Sequence, residues 1–171
     1  MSNRFLPAVG MVVIATLLQV GLAPYIALGG IVPNLLLLVV VTLALVQGRR
    51  SGMVAGFTAG IIFDLLGTAP VGPAALVFCI VGFLAGSLQA NTFAEGWTLP
   101  LVILFVASMT AEVFYGIVLA ILGEGGAGMG AVFTVMLPGA VYNSALAVLV
   151  YPWLARFLRQ DMPVTTFRRI G

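Results

Sequence analysis

The chain alternates between long apolar runs and short turns that contain glycine, proline or charged residues. A helix needs about 20 apolar residues to cross roughly 30 Å of hydrocarbon. Glycine and proline mark the breaks between the runs. The pattern therefore predicts six membrane-spanning helices, with approximate ranges 5–22, 33–46, 53–66, 73–88, 99–122 and 131–158.

The second and third apolar runs are the shortest, with about 14 residues each. They flank a polar turn at 47–52 that contains Arg49 and Arg50. Runs of this length are short for a full crossing of the bilayer. They predict a helical hairpin that is partly shielded by the rest of the protein or that reaches the membrane interface.

The composition supports lipid as the main solvent of this protein. Of its 171 residues, 62% are hydrophobic and only 7% are charged, whereas a soluble domain has roughly 25% charged residues. We therefore expect an all-α integral membrane protein, a bundle of about six transmembrane helices that forms a single domain over residues 1–171.

The arginines predict the orientation of the bundle. With six spans, all seven of them fall on the side that carries both chain ends, and none falls on the other side. The positive-inside rule makes that side cytoplasmic. The residues are Arg4, Arg49, Arg50, Arg156, Arg159, Arg168 and Arg169.

A glycine stripe is the strongest local pattern. Spacing of four residues places its members on one face of the third helix, and such a face lets another helix approach closely in lipid. The neighbour is either a helix of the same bundle or a helix of another protein or a second copy. Bulk at Gly56 is expected to block this approach. The stripe consists of Gly48, Gly52, Gly56 and Gly60, and Gly82 and Gly86 repeat the pattern on the fourth helix.

Asp64 lies near the outer end of the third span. An ionisable residue within a span is costly and is a candidate functional residue. Its carboxylate is expected to accept hydrogen bonds from N–H groups that open the fourth span, or from Asn34, which lies at the same end. The alternative is contact with a partner or ligand.

Glu112 lies at the middle of the fifth span, where a charge is least tolerated, and no arginine lies at a similar depth. One interpretation is a carboxyl group that joins the fifth and sixth spans through a hydrogen-bond network with Thr110, Tyr115, Tyr142 or Asn143. The other is a proton site, a ligand site or a partner contact. Glu112 and Asn143 are thus the candidate buried polar site.

The residue inventory argues against several chemistries. There is no histidine, and Cys79 is the one cysteine, so a histidine base, a Ser-His-Asp triad and a cysteine metal cluster have no residues to form them. The glycine-rich segment 123–130 lacks the Lys-Ser/Thr ending of a phosphate-binding loop. We expect no enzyme activity, no cofactor, no metal and no nucleic-acid partner.

Three segments together carry a resemblance to a known family. The first is Pro33-Asn34 followed by four leucines, the second is the glycine stripe continued through Phe63-Asp64-Leu65-Leu66-Gly67, and the third is Pro70-Val71-Gly72. Asn143 followed by Tyr151-Pro152-Trp153-Leu154 is similar to the last span of the same family. The chain closely resembles the rod shape-determining protein MreD family, most specifically between residues 33 and 86.

This resemblance implies a function and a set of partners. MreD-like proteins are non-catalytic scaffolds of the bacterial elongation machinery in the cytoplasmic membrane. They pair with MreC, which has one span, and link MreB filaments to the glycosyltransferase RodA and its transpeptidase. The implied fold is similar to the substrate-binding subunit of energy-coupling-factor transporters. The matched positions Asn34 and Asp64, with Gly52, Gly56 and Gly60, are candidates for partner binding or fold support.

Two other functions remain open at the level of sequence. A vitamin-binding subunit of an energy-coupling-factor transporter has a similar size and span number, but it docks its partner through alanine-rich faces, and the first span here is mostly bulky. An intramembrane enzyme needs a matched set of polar residues that this chain does not offer. A homodimer is a further arrangement that the glycine stripe would permit.

Overall fold

The computed structural model describes residues 5–88, 98–123 and 132–160. The predicted polar loop, glycine-rich turn and tail lie largely outside these residues, as do Arg4, Arg168 and Arg169 and the side chain of Arg159. Within the described residues the prediction of six helices is confirmed. They are α1 Phe5–Gly21, α2 Leu35–Gln47, α3 Arg49–Leu66, α4 Pro73–Ser87, α5 Thr98–Ile121 and α6 Leu137–Gln160.

Helix α2 forms the centre of the bundle. It packs against each of the other five helices, and every residue from Leu36 to Val46 is buried. A helix that is apolar on all sides is stable only when protein or lipid surrounds it completely. Its one internal polar side chain, Thr42, donates its hydroxyl hydrogen to the carbonyl oxygen of Leu38 at 2.8 Å. The short second span is therefore shielded by protein, which is one of the two predicted arrangements.

Helices α3 and α4 form an antiparallel pair whose backbones touch along the glycine stripe. A Cβ atom added to Gly52, Gly56 or Gly60 would lie closer than 3.0 Å to the backbone of α4, a separation that real Cβ atoms essentially never show. Each glycine faces a different turn of α4: Gly52 faces Gly82, Gly56 faces Phe78, and Gly60 faces Ala74 and Ala75. Only residues without a side chain permit this approach.

A single residue separates α2 from α3. Gly48 has φ 90° and ψ 178°, in the region that glycine adopts without strain. Its N–H donates to the carbonyl oxygen of Ala44 at 2.8 Å, and its own carbonyl accepts from the N–H of Gly52 at 3.0 Å. Helix α3 therefore begins at Arg49 rather than at Met53, and residues 49–52 of the predicted polar turn form its first turn, whereas Gly48 lies before the helix.

Helix α6 is preceded by an irregular segment. Residues Val132–Met136 form a π-helical turn, and Pro138 lies in the first turn of α6, where the missing N–H of proline is tolerated.

The outer surface of the bundle is apolar. Two helical stretches of the described chain, Thr98–Ile121 and Thr134–Leu158, are long and apolar enough to cross a membrane, and only 28% and 33% of their most apolar windows are buried inside the protein. Soluble monomers rarely expose large contiguous apolar patches. The exposed side chains of α5 and α6 are those expected to face lipid.

We expect one added methyl group at Gly56 to destabilise the protein. In Gly56→Ala the new Cβ meets the carbonyl of Phe78, so α3 and α4 must separate, at a cost of about 1–3 kcal/mol. The matched control is Gly10→Ala on α1, where a Cβ meets nothing within 4 Å. Thermal unfolding in detergent measures both variants. If Gly56→Ala melts at the wild-type temperature, the close contact of α3 with α4 is wrong.

Candidate functional site

The polar side chains of the bundle concentrate where α2 and α4 begin, which we term the outer end. Asp64 lies in the last turn of α3, and Asn34 precedes α2. The relative exposures of Asp64, Asn34 and Asn143 are 2%, 9% and 4%. Each of these side chains lies inside the protein, so none of them presents a large surface to a partner.

Asp64 caps helix α4 from a distance. Its carboxylate accepts hydrogen bonds from the backbone N–H groups of Gly72 at 2.8 Å, Ala74 at 3.1 Å and Ala75 at 3.2 Å. Pro73 has no N–H, so these are the free donors of the first turn. A carboxylate is also favoured at the positive end of the helix dipole. Of the two predicted sets of donors for Asp64, this is the set that the structure contains.

Local geometry explains why the cap comes from α3. The usual capping residues are Ser, Thr, Asp and Asn at the position before the first turn. In this chain Gly72 occupies that position with φ 129°, which is strained for a residue with a side chain. The donors are therefore satisfied by a side chain from the preceding helix, and the connection between α3 and α4 closes on itself.

Asn34 caps α2 and also joins it to α6. Its Oδ1 accepts from the N–H of Leu37 at 3.0 Å. Its own backbone N–H donates to Oδ1 of Asn143 at 2.8 Å. Asn143 thus binds the start of the central helix, and the two asparagines act through backbone groups as well as side chains.

Gln19 performs the same task from α1. Its Nε2 donates to the carbonyl oxygen of Pro33 at 3.0 Å, and its Oε1 accepts from the N–H of Leu35 at 2.8 Å. The sequence shows Gln19 as the one polar residue late in an apolar run, but it does not indicate the partner. Tyr142, next to Asn143, donates its hydroxyl hydrogen to the carbonyl oxygen of Ile26.

The predicted network around Glu112 is not formed within the described part of the chain. Asn143 and Tyr142 bond to Asn34 and Ile26 instead, because α6 packs its polar face against the start of α2. Glu112 is half-buried on α5 and has no hydrogen bond to the described residues. Tyr115, one turn later, packs edge-on against Phe63 with ring centroids 6.4 Å apart.

The buried polar side chains at the outer end therefore form hydrogen bonds within the described chain. Among the described residues, no buried side-chain nitrogen or oxygen lacks a hydrogen-bond partner, and no group of three acidic or cysteine residues is arranged to hold a metal. Gly52, Gly56 and Gly60 are likewise in contact with the backbone of α4. The contacts that the structure gives to Asn34, Asp64 and the glycines are contacts within the chain.

Loss of the Asp64 cap should destabilise the protein. In Asp64→Ala the buried N–H groups of Ala74 and Ala75 lose their acceptor, at a cost of about 1–3 kcal/mol for each unsatisfied group. The control is Thr58→Ala on the same helix, whose hydroxyl is exposed and bonds only to its own helix. Chemical unfolding in detergent compares the two. Equal stability of both variants would remove the capping role, and loss of partner binding at unchanged stability would make Asp64 a partner contact.

Comparison with known proteins gives one match. No curated protein and no solved structure matches this chain. The model of the family described as rod shape-determining protein MreD matches residues 2–161. This family is one of structural, shape-determining membrane proteins. The match confirms the family resemblance seen in the sequence. The chain belongs to the MreD family of rod shape-determining proteins.

Proposed function

We propose that this protein is a non-catalytic membrane scaffold that binds an MreC-like protein and helps to organise lateral-wall peptidoglycan synthesis during rod-shaped growth. The observation that carries the proposal is the family match over residues 2–161. The proposed machinery includes RodA and its transpeptidase, with MreB filaments as indirect partners.

The packing of the polar and glycine positions restricts where a partner is expected to bind. Gly56 is in backbone contact with α4, and the Asp64 carboxylate is held by the start of the same helix. A partner at either position would have to separate α3 from α4. We therefore assign fold support to Asn34, Asp64 and the glycine stripe, and we place partner contacts on the outer apolar faces.

A long apolar groove lies between α1 and α6, with α2 as its floor. It has a cavity volume of about 430 Å³. On α6 its wall is formed at helical spacing by Leu146, Val150, Trp153 and Phe157. The opposite wall is formed by Met11, Ala15 and Leu18 on α1 and by Leu22 just after its end. Each wall extends over about three turns, or roughly 17 Å.

A single transmembrane helix is the occupant that we assign to this groove. Its walls run along the helix axes, so an added helix contacts α1 and α6 together and touches α2 through Leu38 and Val39. Trp153, with 81% of its surface exposed, provides a large rigid anchor at one wall. An MreC-like partner has one span, and one span fits one groove.

The proposed topology has six spans in the bacterial cytoplasmic membrane, with both chain ends in the cytoplasm. The described arginine side chains support it, because Arg49, Arg50 and Arg156 are all exposed at the end opposite to Asn34 and Asp64. The positive-inside rule assigns this end to the cytoplasm. Similarity of the fold to the substrate-binding subunit of energy-coupling-factor transporters stays a prediction.

Co-purification from the native host tests the scaffold proposal. A mildly solubilised, tagged chain is expected to recover an MreC-like protein in stoichiometric amount, with or without RodA, as identified by mass spectrometry. Recovery of an energy-coupling transmembrane subunit with its ATPases would overturn the scaffold in favour of a transporter. Recovery of the tagged chain with an untagged copy and no other protein would favour a homodimer.

Removal of the groove wall tests the assigned surface. We expect Trp153→Ala with Phe157→Ala to weaken recovery of the MreC-like partner roughly tenfold, the scale of a lost aromatic anchor. The matched control is Leu149→Ala on the same helix, which is 73% exposed and lies outside the groove. Equal recovery by the two variants would place the partner on another face.

Reporter fusions test the proposed topology. Because all arginines are predicted at one side, fluorescent protein fused to either end should be fluorescent and alkaline phosphatase fused there should be inactive. Phosphatase inserted after Gly67, in the outer connection between α3 and α4, should be active. Activity at either chain end would contradict the orientation.

A further inference from the structure

A second groove lies between α1 and α3, on the other side of α1 from the partner groove. Its volume is about 190 Å³. Apolar side chains form most of it, including Val9, Val12 and Val13 on α1 and Val54 and Ile62 on α3. The groove is open to the bilayer along its length, because Val9, Val13 and Val54 are exposed by 59%, 51% and 44%.

Polar residues are concentrated at one mouth of this groove. Gln47 and Ser51 line it where α3 begins, and both carry hydrogen-bond donors. Thr58, deeper in the groove, bonds to its own helix through the carbonyl oxygen of Val54. The groove is therefore amphipathic, with an apolar body and donors at the arginine-bearing end.

Arg50 extends the α3 wall of the groove beyond its polar mouth. Arg50, Val54, Thr58 and Ile62 recur at intervals of four residues and so share one helix face. Helical side chains lean towards the start of their own helix, which directs Arg50 away from the apolar body and towards the membrane surface. Its neighbour Arg49 is exposed at the same level.

These guanidinium groups have no acidic partner within the described chain. The acidic residues described there are Asp64, which is engaged at the outer end, and Glu112, which lies in the middle of α5. A positive charge that has no acidic partner among the described residues, beside an apolar groove at a membrane surface, complements one class of molecule. That class has a negatively charged headgroup attached to a hydrocarbon chain.

We propose that the α1–α3 groove binds an anionic glycerophospholipid. One acyl chain lies between α1 and α3, and the phosphate lies at the polar mouth, beside Gln47 and Ser51 and within reach of the Arg50 guanidinium. Arginine matches the geometry of phosphate oxygens through paired N–H donors. The groove is less than half the volume of the α1–α6 groove, which favours a single chain over a helix. This site is independent of the proposed scaffold function.

Native mass spectrometry of the detergent-solubilised full chain tests the site. The probes are dioleoyl phosphatidylglycerol, which is anionic, and dioleoyl phosphatidylcholine, which has the same chains and no net charge. The anionic lipid is expected to bind more tightly. Each arginine near a membrane surface contributes about 1 kcal/mol, so Arg50→Gln should weaken its binding about fivefold, and Arg49→Gln with Arg50→Gln about thirtyfold.

Two controls separate this site from general attraction to a basic surface. Arg156→Gln removes an exposed arginine from α6 and should leave the binding of the anionic lipid unchanged. Val54→Trp fills the groove and should abolish binding of both lipids, whereas Leu149→Trp, the same substitution at an exposed position of α6 outside the groove, should not. Both tryptophan variants are expected to melt as wild type, which excludes misfolding as the cause of a loss.

The proposal is overturned by any of three results. These are equal affinity for the two lipids, an Arg156→Gln effect as large as that of Arg50→Gln, and wild-type lipid binding by Val54→Trp. Displacement of the bound lipid by the co-purified MreC-like partner would also overturn it, because the groove would then be a partner surface.

Discussion

The contact between the backbones of α3 and α4 is the constraint on which the rest of the structure depends. In lipid, helix association gains nothing from the exclusion of water, so it relies on close packing and on hydrogen bonds between helices. Gly52, Gly56 and Gly60 place no side chain between α3 and the backbone of α4. The pair also forms a wall for α2, since Ala44 lies against Gly52 and Val40 against Gly82. Larger side chains at the contact between α3 and α4 would leave the central helix incompletely covered.

Hydrogen bonds at the outer end connect the packed helices to one another. Helices α2 and α4 begin there, and each has free N–H groups that lipid does not satisfy. Asp64 supplies the acceptor for α4, and Asn34 and Gln19 supply acceptors for α2. Asn143 then accepts the N–H of Asn34 and ties the last helix to the central one. The few polar residues of this chain are thus used to hold irregular backbone inside a membrane protein.

The residues that support the fold are different from the surfaces that are left to bind other molecules. The glycine face packs against α4, and the buried carboxylate accepts hydrogen bonds from the same helix. The surfaces left for other molecules are therefore grooves between apolar helices. The groove on one side of α1 is wholly apolar and long, whereas the groove on its other side ends in hydrogen-bond donors near two exposed arginines. Helix α1 therefore lies between a surface suited to another helix and a surface suited to an anionic lipid.

The sequence by itself determined the class of protein, the six helices and the family, because apolar runs, turn residues and the Asn34 and Asp64 motifs are local signals. It also offered the start of the fourth helix as one of the alternative sets of donors for Asp64. Only the tertiary structure decided that the glycine face meets α4, that Asn143 binds Asn34 rather than Glu112, and that Gln19 holds the entry to α2. The physical reason is that spacing along one helix specifies which residues share a face, whereas the partner of that face depends on how all six helices pack around α2.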